Sequence, residues 1–181
     1  MLLNRVLILF AIAATAILVL AALLVNVANR DHDTSAAEIS VRGLVNHEIT
    51  LTIDDLKSRP NVTITAELVC VSGASMGTHN WTGVRLKDLL SEAGVQDGAI
   101  KVAFYSFDNY STDLNLQDAM RDDIVVAFLE DRLLLTDTRL VVPGKWGYKW
   151  ITGIESIQVV NFDFLGTWES DGYSDDASVN R

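Results

Sequence analysis

The chain has a single cysteine, Cys70, among 181 residues. One thiol excludes an intramolecular disulfide framework and also a Cys-x-x-Cys-His haem attachment. Outside a reducing compartment it would be an oxidation liability unless buried or ligated. Basic residues are scarce too. Of the 14 lysines and arginines, Arg5 and Arg30 precede Asp31, whereas all 24 acidic residues follow Arg30. The chain beyond that point therefore sets 12 basic against 24 acidic residues, a formal net charge of −12. Such a surface repels phosphate backbones, which argues against nucleic acid as a partner. Any site for an anion has to be built locally. No internal repeat is present.

What is present begins with an uncharged apolar run, Val6 to Val25. Twenty helical residues span roughly 30 Å, the hydrocarbon thickness of a bilayer. Arg5 and the amino terminus precede the run, so the positive-inside bias places the start in the cytoplasm and the rest outside. A cleaved signal would have a shorter apolar region and a small-x-small site, for which Val25-Asn26-Val27-Ala28 is a poor match. The reading is an N-terminal membrane anchor or uncleaved signal over 1–28 and a polar linker over 29–37. A folded domain over 38–165 and an acidic tail over 166–181 follow, the tail having Trp168 and Tyr173 as its anchors.

The domain centres on the stretch from Thr63 to Leu90. Thr63 to Cys70 alternates with period two, which predicts a strand with Ile64, Ala66, Leu68 and Cys70 on its core side. A turn-rich loop, Ser72 to Thr78, is expected next. Leu86, Leu89, Leu90 and Ala93 then fall at helical spacing before Gly94. Upstream, Ile39–Val41 and Ile49–Leu51 read as short strands. Thr52 to Asp55 reads as a capping box opening a helix that Pro60 ends. Downstream, Ile100 to Tyr105 alternates, Leu116 to Met120 suggests a short helix, and Ile124 to Leu129 predicts a strand buried on both faces. Arg139 to Pro143 and Ile154 to Phe162 complete the strands. Strands outnumber helices without regular β-α-β alternation, so the fold class is α+β with a mixed sheet.

Few residue groups suggest chemistry. Cys70 ends a strand beside a glycine-bearing loop, a position suited to binding in the hollow between them, although free cysteines are commonly just packed. Lys145 and Lys149, with Gly144 and Gly147 and with Arg139 at the preceding strand's start, would suit a phosphate-bearing ligand. Lysines capping tryptophan rings are the bland alternative. Cys70, Met76, His79 and His47 could form a copper site, or His79 could activate the Cys70 thiol. Asp108 and Asn109 read as turn formers.

Several segments together resemble the sulfite oxidase family of molybdenum enzymes. They are Val41-Arg42-Gly43-Leu44-Val45, Leu68-Val69-Cys70-Val71, Asn80-Trp81-Thr82-Gly83-Val84-Arg85-Leu86, Asp108-Asn109-Tyr110 and Arg139-Leu140-Val141-Val142-Pro143. The resemblance covers about Ile39 to Tyr173. It implies a sulfite-oxidase-type α+β domain that binds molybdopterin, with Cys70 as catalytic residue and thiolate ligand to the metal. It implies cofactor contacts at Asn109, Arg139, Lys145, Gly147 and Lys149. The family's lysine-rich pattern is shortened here to Gly147-Tyr148-Lys149-Trp150, and the insertion before Arg139 is reduced to Thr136-Asp137-Thr138. The implied activity is oxygen-atom transfer to or from a small oxyanion or sulfoxide. Electrons would pass to a separate electron-transfer protein, such as a haem-bearing membrane subunit. The soluble part would lie on the extracytoplasmic side. A non-catalytic binding domain of the same fold and a membrane-anchored copper electron-transfer module are the competing readings.

Overall fold

The computed structural model describes residues 38–179; the expected anchor and linker lie outside the described residues. Among those described, no helix is long and apolar enough to cross a membrane. The strands form two sheets. In the first, β1 (Ile39–Gly43) pairs antiparallel with β2 (Ile49–Leu51) and parallel with β9 (Ile154–Val160). Antiparallel β5 (Lys101–Ser106) and β6 (Ser111–Asn115) extend it, giving the order β2-β1-β9-β5-β6. The second sheet is antiparallel throughout, in the order β3 (Val62–Val69), β4 (Ser75–Arg85), β7 (Val125–Glu130), β8 (Leu133–Val141). One continuous core takes in Val41, Phe104 and Ile157 from the first sheet and Trp81, Val126 and Leu140 from the second. The mixed-sheet α+β class is as expected.

Local chemistry explains the helices. Thr52 caps α1 (Ile53–Ser58) by accepting from the Asp55 amide at 3.2 Å, and the Asp55 carboxylate accepts from the Thr52 amide at 2.8 Å. This is the capping box that the sequence predicts. α2 (Leu86–Ala93) buries Leu86, Leu89, Leu90 and Ala93 completely. Each buried leucine contributes about 1.5–3 kcal/mol. Gly94 closes the helix at φ +71, donating to Leu90 and Ser91, a left-handed cap that glycine adopts without a Cβ penalty. β7 is buried on both faces through Val125, Val126, Ala127 and Phe128.

Four expectations change. Ser75 to Thr78 belongs to strand β4, so the hairpin turn is confined to the residues around Ser72 and Gly73. The strand reading stops at Val69, where the β3–β4 register shifts, and Cys70 is half-buried in the turn rather than on the core face. The strand expected from Arg139 to Pro143 begins already at Leu133 and ends at Val141. Residues 166–179 are not a loose tail. They contain α4 (Thr167–Ser170), and their backbone pairs with the 144–146 loop through Trp146 N–H to Ala177 O (2.8 Å) and Val179 N–H to Gly144 O (2.8 Å). The short helix after β6 is α3 (Leu116–Ala119), capped by Asn115.

The two central strands of the second sheet meet closely at Gly83. A Cβ there would stand 2.1 Å from Val126 O and 2.6 Å from Ala127 Cα, so backbone would have to move. Gly83→Ala is expected to lower the free energy of unfolding by about 1–3 kcal/mol, as overpacking does. Denaturant unfolding measures it, and an unchanged midpoint would contradict the β4–β7 packing.

Candidate functional site

Cys70 is placed by the turn that ends β3. Its amide donates to Ala74 O at 2.9 Å, and Gly73 N–H donates back to Cys70 O at 2.8 Å. Gly73 stands at φ +86, a conformation that suits glycine. The Ser72 hydroxyl, then the Ser72 N–H and the Val71 N–H, stabilise the thiolate and hold the Cys70 pKa below the ordinary thiol value, against a small opposing effect of burial. A thiol so poised is the form that ligates metals.

The thiol-bearing residue lines a pocket of about 360 Å³. Cys70 and Val71 come from the hairpin, Asp108 and Tyr110 from the β5–β6 turn, Gly147 to Thr152 supply five further residues, and Trp168 comes from α4. A 3-10 turn, Gly147–Lys149, presses against the end of β3: a Cβ on Gly147 would stand 3.2 Å from Val69 O. Tyr110 Oη donates to Tyr148 O at 2.6 Å, and Tyr148 Oη donates to Ser174 O at 2.6 Å. Burial, with Glu169 nearby, pushes the Tyr148 phenol up to about 12, so it stays a neutral donor. Trp168 stacks on Tyr148 with ring centroids 5.7 Å apart and 7° between planes.

The structure sorts the residues singled out in the sequence. Cys70 and Gly147 line the pocket. Asn109 does not: it sits at φ +67 and lines a separate polar groove with Ser40, Arg42 and Ser156, while its neighbours Asp108 and Tyr110 face Cys70's pocket. Arg139 is half-buried with its guanidinium 5.8 Å from the Trp81 ring centroid. It has no ion pair among the described residues, and burial pulls its pKa down. It neighbours the pocket through a backbone bridge to Thr152.

Lys145 and Lys149 depart from the expectation of free ammonium groups for a phosphate. Lys145 is 6% exposed and lies 2.9 Å from Asp118 and 2.8 Å from Asp176. Lys149 is 1% exposed and lies 3.0 Å from Asp113, 2.6 Å from Glu169 and 3.4 Å from Asp175. Lys101, which the alternation of β5 puts on the solvent side, is buried as well, against Asp113, Asp163 and Asp175. Desolvation makes unpaired buried charge costly, so these lysines are held by carboxylates, several of them from the acidic C-terminal segment. The copper reading has no assembled site. His79 Nδ1 is 2.8 Å from Asp131, Met76 is 62% exposed, and no cluster of three His, Cys, Asp or Glu among the described residues could hold a metal.

The sulfur donor, the pocket volume and the close-packed glycine thus fit a metal cofactor ligated through Cys70. Positive charge not already paired with a carboxylate stands beside the pocket at Arg139. Sequence reasoning passed over Tyr110, Tyr148, Trp150 and Trp168. The only local signal was the place of Trp168 and Tyr173 as aromatic anchors in an acidic tail.

The tail's ion pairs set a pH dependence. Lys145 and Ser178 hold the Asp176 carboxyl down at about 2, against an ordinary value of 3.8. A carboxylate depressed in the folded state stabilises fully above its unfolded pKa, and that contribution disappears as pH falls through the folded value. Asp113 has the opposite sign: burial raises its pKa, so its protonation at falling pH favours the folded form. Tail docking is therefore expected to weaken from about pH 4 down to about pH 2. The Trp168 fluorescence and near-ultraviolet circular dichroism report it. Asp176→Asn should flatten that step, and an identical profile in the variant would refute the assignment.

Comparison with known proteins bears on the family and the fold. The profile of the oxidoreductase molybdopterin binding domain matches residues 26–168. The chain is 29% identical over 146 residues to the uncharacterized oxidoreductase YuiH of Bacillus subtilis, covering 78% of this chain and 74% of that protein. It is 29% identical over 150 residues to a putative protein-methionine-sulfoxide reductase subunit, YedZ1, of Azospira oryzae, covering 80% and 57%. The mitochondrial sulfite oxidase of Drosophila melanogaster is 29% identical over 156 residues, covering 68% of this chain but 27% of that one. The chain therefore spans a little over half of one of these relatives and about a quarter of another. The fold matches that of the sulfane dehydrogenase SoxCD from Paracoccus pantotrophus, with a TM-score of 0.65, 23% identity and coverage of 69% and 38%. A profile match over most of its length, on a fold that gathers a poised thiol and an aromatic pocket, places this chain in the oxidoreductase molybdopterin-binding domain family.

Proposed function

We propose that the chain is the cofactor-bearing part of an oxygen-atom-transfer oxidoreductase, with the Cys70 thiolate as the protein ligand to molybdenum. The observation that carries this reading is the half-buried thiol, poised by Ser72, at the wall of a pocket large enough for a ligand. A soft thiolate suits a thiophilic metal centre. When bound, the cofactor supplies a metal that exchanges an oxygen atom with substrate and passes electrons singly. The protein's part is to hold and shield. Ser72 lowers the thiol pKa and so favours the thiolate, and Gly147 lets the 3-10 turn lie against β3. Tyr110 and Tyr148 lock the walls by hydrogen bonds to backbone, and Arg139 supplies charge for an anionic part of the cofactor. A separate electron-transfer protein would then supply or accept the electrons. The subunit named in the Azospira relative supports a separate partner.

Two measurements test this. Metal analysis of the purified protein should give one molybdenum per chain. Cys70→Ser should leave circular dichroism unchanged while the X-ray absorption spectrum loses one metal–sulfur contact. Serine is nearly isosteric, but it donates far less charge to the metal. An unchanged metal–sulfur shell would remove Cys70 from the site.

We also propose that Val6 to Val25 anchors the chain with its domain on the extracytoplasmic side, the apolar run after Arg5 being the supporting feature. The full-length protein should pellet with membranes and resist carbonate extraction, and a chain starting at Ala36 should be soluble. Recovery of a mature protein that begins after Ala28 would replace the anchor by a cleaved signal.

A further inference from the structure

A second cavity, of about 380 Å³, lies on the outer face of the first sheet. The strand registers explain its lining. Ser40 of β1 pairs with Ser156 of β9, Ser156 with Tyr105 of β5, and Tyr105 with Ser111 of β6. One row of hydroxyl-bearing residues thus crosses four strands, and all four residues line the groove. Side chains alternate between faces along a regular strand, so Glu155 should point away from its neighbour Ser156. The β5–β9 register shifts at this point. Tyr105 pairs with Ser156 and Ser106 with Ile154, which leaves Glu155 opposite no residue. Such a bulge re-aims a side chain, and the exposed Glu155 lines the groove beside Ser156. The turn from Ser106 to Ser111 separates the groove from the Cys70 pocket: Asn109 lines the groove, Asp108 and Tyr110 the pocket.

The serine hydroxyls are largely engaged within the fold. Ser40 donates to Glu155 O at 3.3 Å, Ser106 donates to the Asp108 carboxylate, and Ser156 Oγ accepts from Arg42 Nε at 2.9 Å. Four groups on the groove have no hydrogen bond or ion pair among the described residues. They are the Arg42 Nη atoms, the Glu155 carboxylate, the Tyr105 hydroxyl and the Asn109 side-chain amide. Elsewhere in the domain Lys101, Lys145 and Lys149 are all taken by carboxylates. An arginine and a glutamate left apart on one groove stand out against that pattern.

We propose that this groove is a second ligand site, distinct from the Cys70 pocket, for a small zwitterion of the amino-carboxylate class, with the carboxylate on Arg42 and the ammonium group on Glu155. Ser156 fixes the guanidinium through Nε and leaves the two Nη groups as a fork for a carboxylate. Glu155 offers only acceptors and suits an ammonium group. Tyr105 and Asn109 supply neutral donors and acceptors. A carboxylate without an ammonium group would leave Glu155 unmatched and meet its repulsion, and an amine without a carboxylate would do the same at Arg42. A zwitterion satisfies both charges, and both are already in place before it arrives. Neither charge takes part in the oxygen-transfer reading, so this site stands without it.

Titration calorimetry on the purified full-length chain at low ionic strength tests the site. The probes are glycine, β-alanine and γ-aminobutyrate, which space the two charges progressively further apart. Each is paired with the carboxylate and the amine that carry one of its charges, butyrate and butylammonium in the case of γ-aminobutyrate. At least one zwitterion should bind saturably and about tenfold or more tightly than either of its single-charge analogues, the scale of one charge-assisted contact. Arg42→Gln and Glu155→Gln should each lower that affinity by about tenfold, and because both side chains are exposed the denaturant midpoint should stay in place. Chains with and without cofactor should bind the zwitterion equally. The absence of saturable binding across the series overturns the proposal. A single-charge analogue that binds as tightly as the zwitterion overturns the ligand class. Affinity retained in both variants, or lost when the cofactor is present, puts the ligand outside this groove and overturns the site.

Discussion

The site depends on Lys149. Its ammonium group is fully enclosed, with Asp113 from β6, Glu169 from α4 and Asp175 from the segment beyond all within 3.4 Å. A buried ion pair gains little over a well-packed apolar substitute, but removing one partner strands the others at a cost of about 3–5 kcal/mol. Lys149 also belongs to the 3-10 turn that forms part of the pocket wall. The same contact therefore fixes the turn, the end of the first sheet and the C-terminal segment relative to each other. Trp168 reaches Tyr148 because Glu169, next to it, is held by this lysine.

A second constraint acts on the thiol. If β3 simply continued its alternation, Cys70 would point into the core and be unavailable to a ligand. The register shift near Glu67 and Val69 ends the strand, and the tight turn through Gly73 leaves the thiol half-exposed next to Ser72. Bulges are one way a sheet re-aims a side chain at its edge. The register also shifts between Thr82 and Gly83 and between Ala127 and Leu129, so irregular pairing recurs across the second sheet.

Much of this was legible locally. The capping box of α1, the leucine spacing of α2 with its Gly94 cap and the apolar run of β7 are all short-range patterns, and they fold as written. β6 was not legible, because its Thr112 and Asp113 are buried polar residues and look like loop in one dimension. The burial of Lys101 has no local sign either: its partners Asp163 and Asp175 lie more than sixty residues away. The scarcity of basic residues did point to special positions for Lys145 and Lys149, but nothing local says that carboxylates from the acidic tail take them. Cys70 was found through its position after an alternating strand, whereas the aromatic wall assembles from three separate segments and has no sequence signal.

The lysine cluster also imposes an order on the making of the protein. Both sheets are encoded before Val160, so they can pair while the segment carrying Asp163, Glu169, Asp175 and Asp176 is still being synthesised. Until that segment arrives, Lys101 and Lys149 share Asp113 alone, Lys145 has Asp118, and the Tyr148 ring lacks its Trp168 cover. The nascent domain is thus open and electropositive around the very turn that the finished domain closes and neutralises. A phosphate-bearing cofactor would meet its most receptive surface during biogenesis, and the C-terminal segment would then act as the bolt drawn after it.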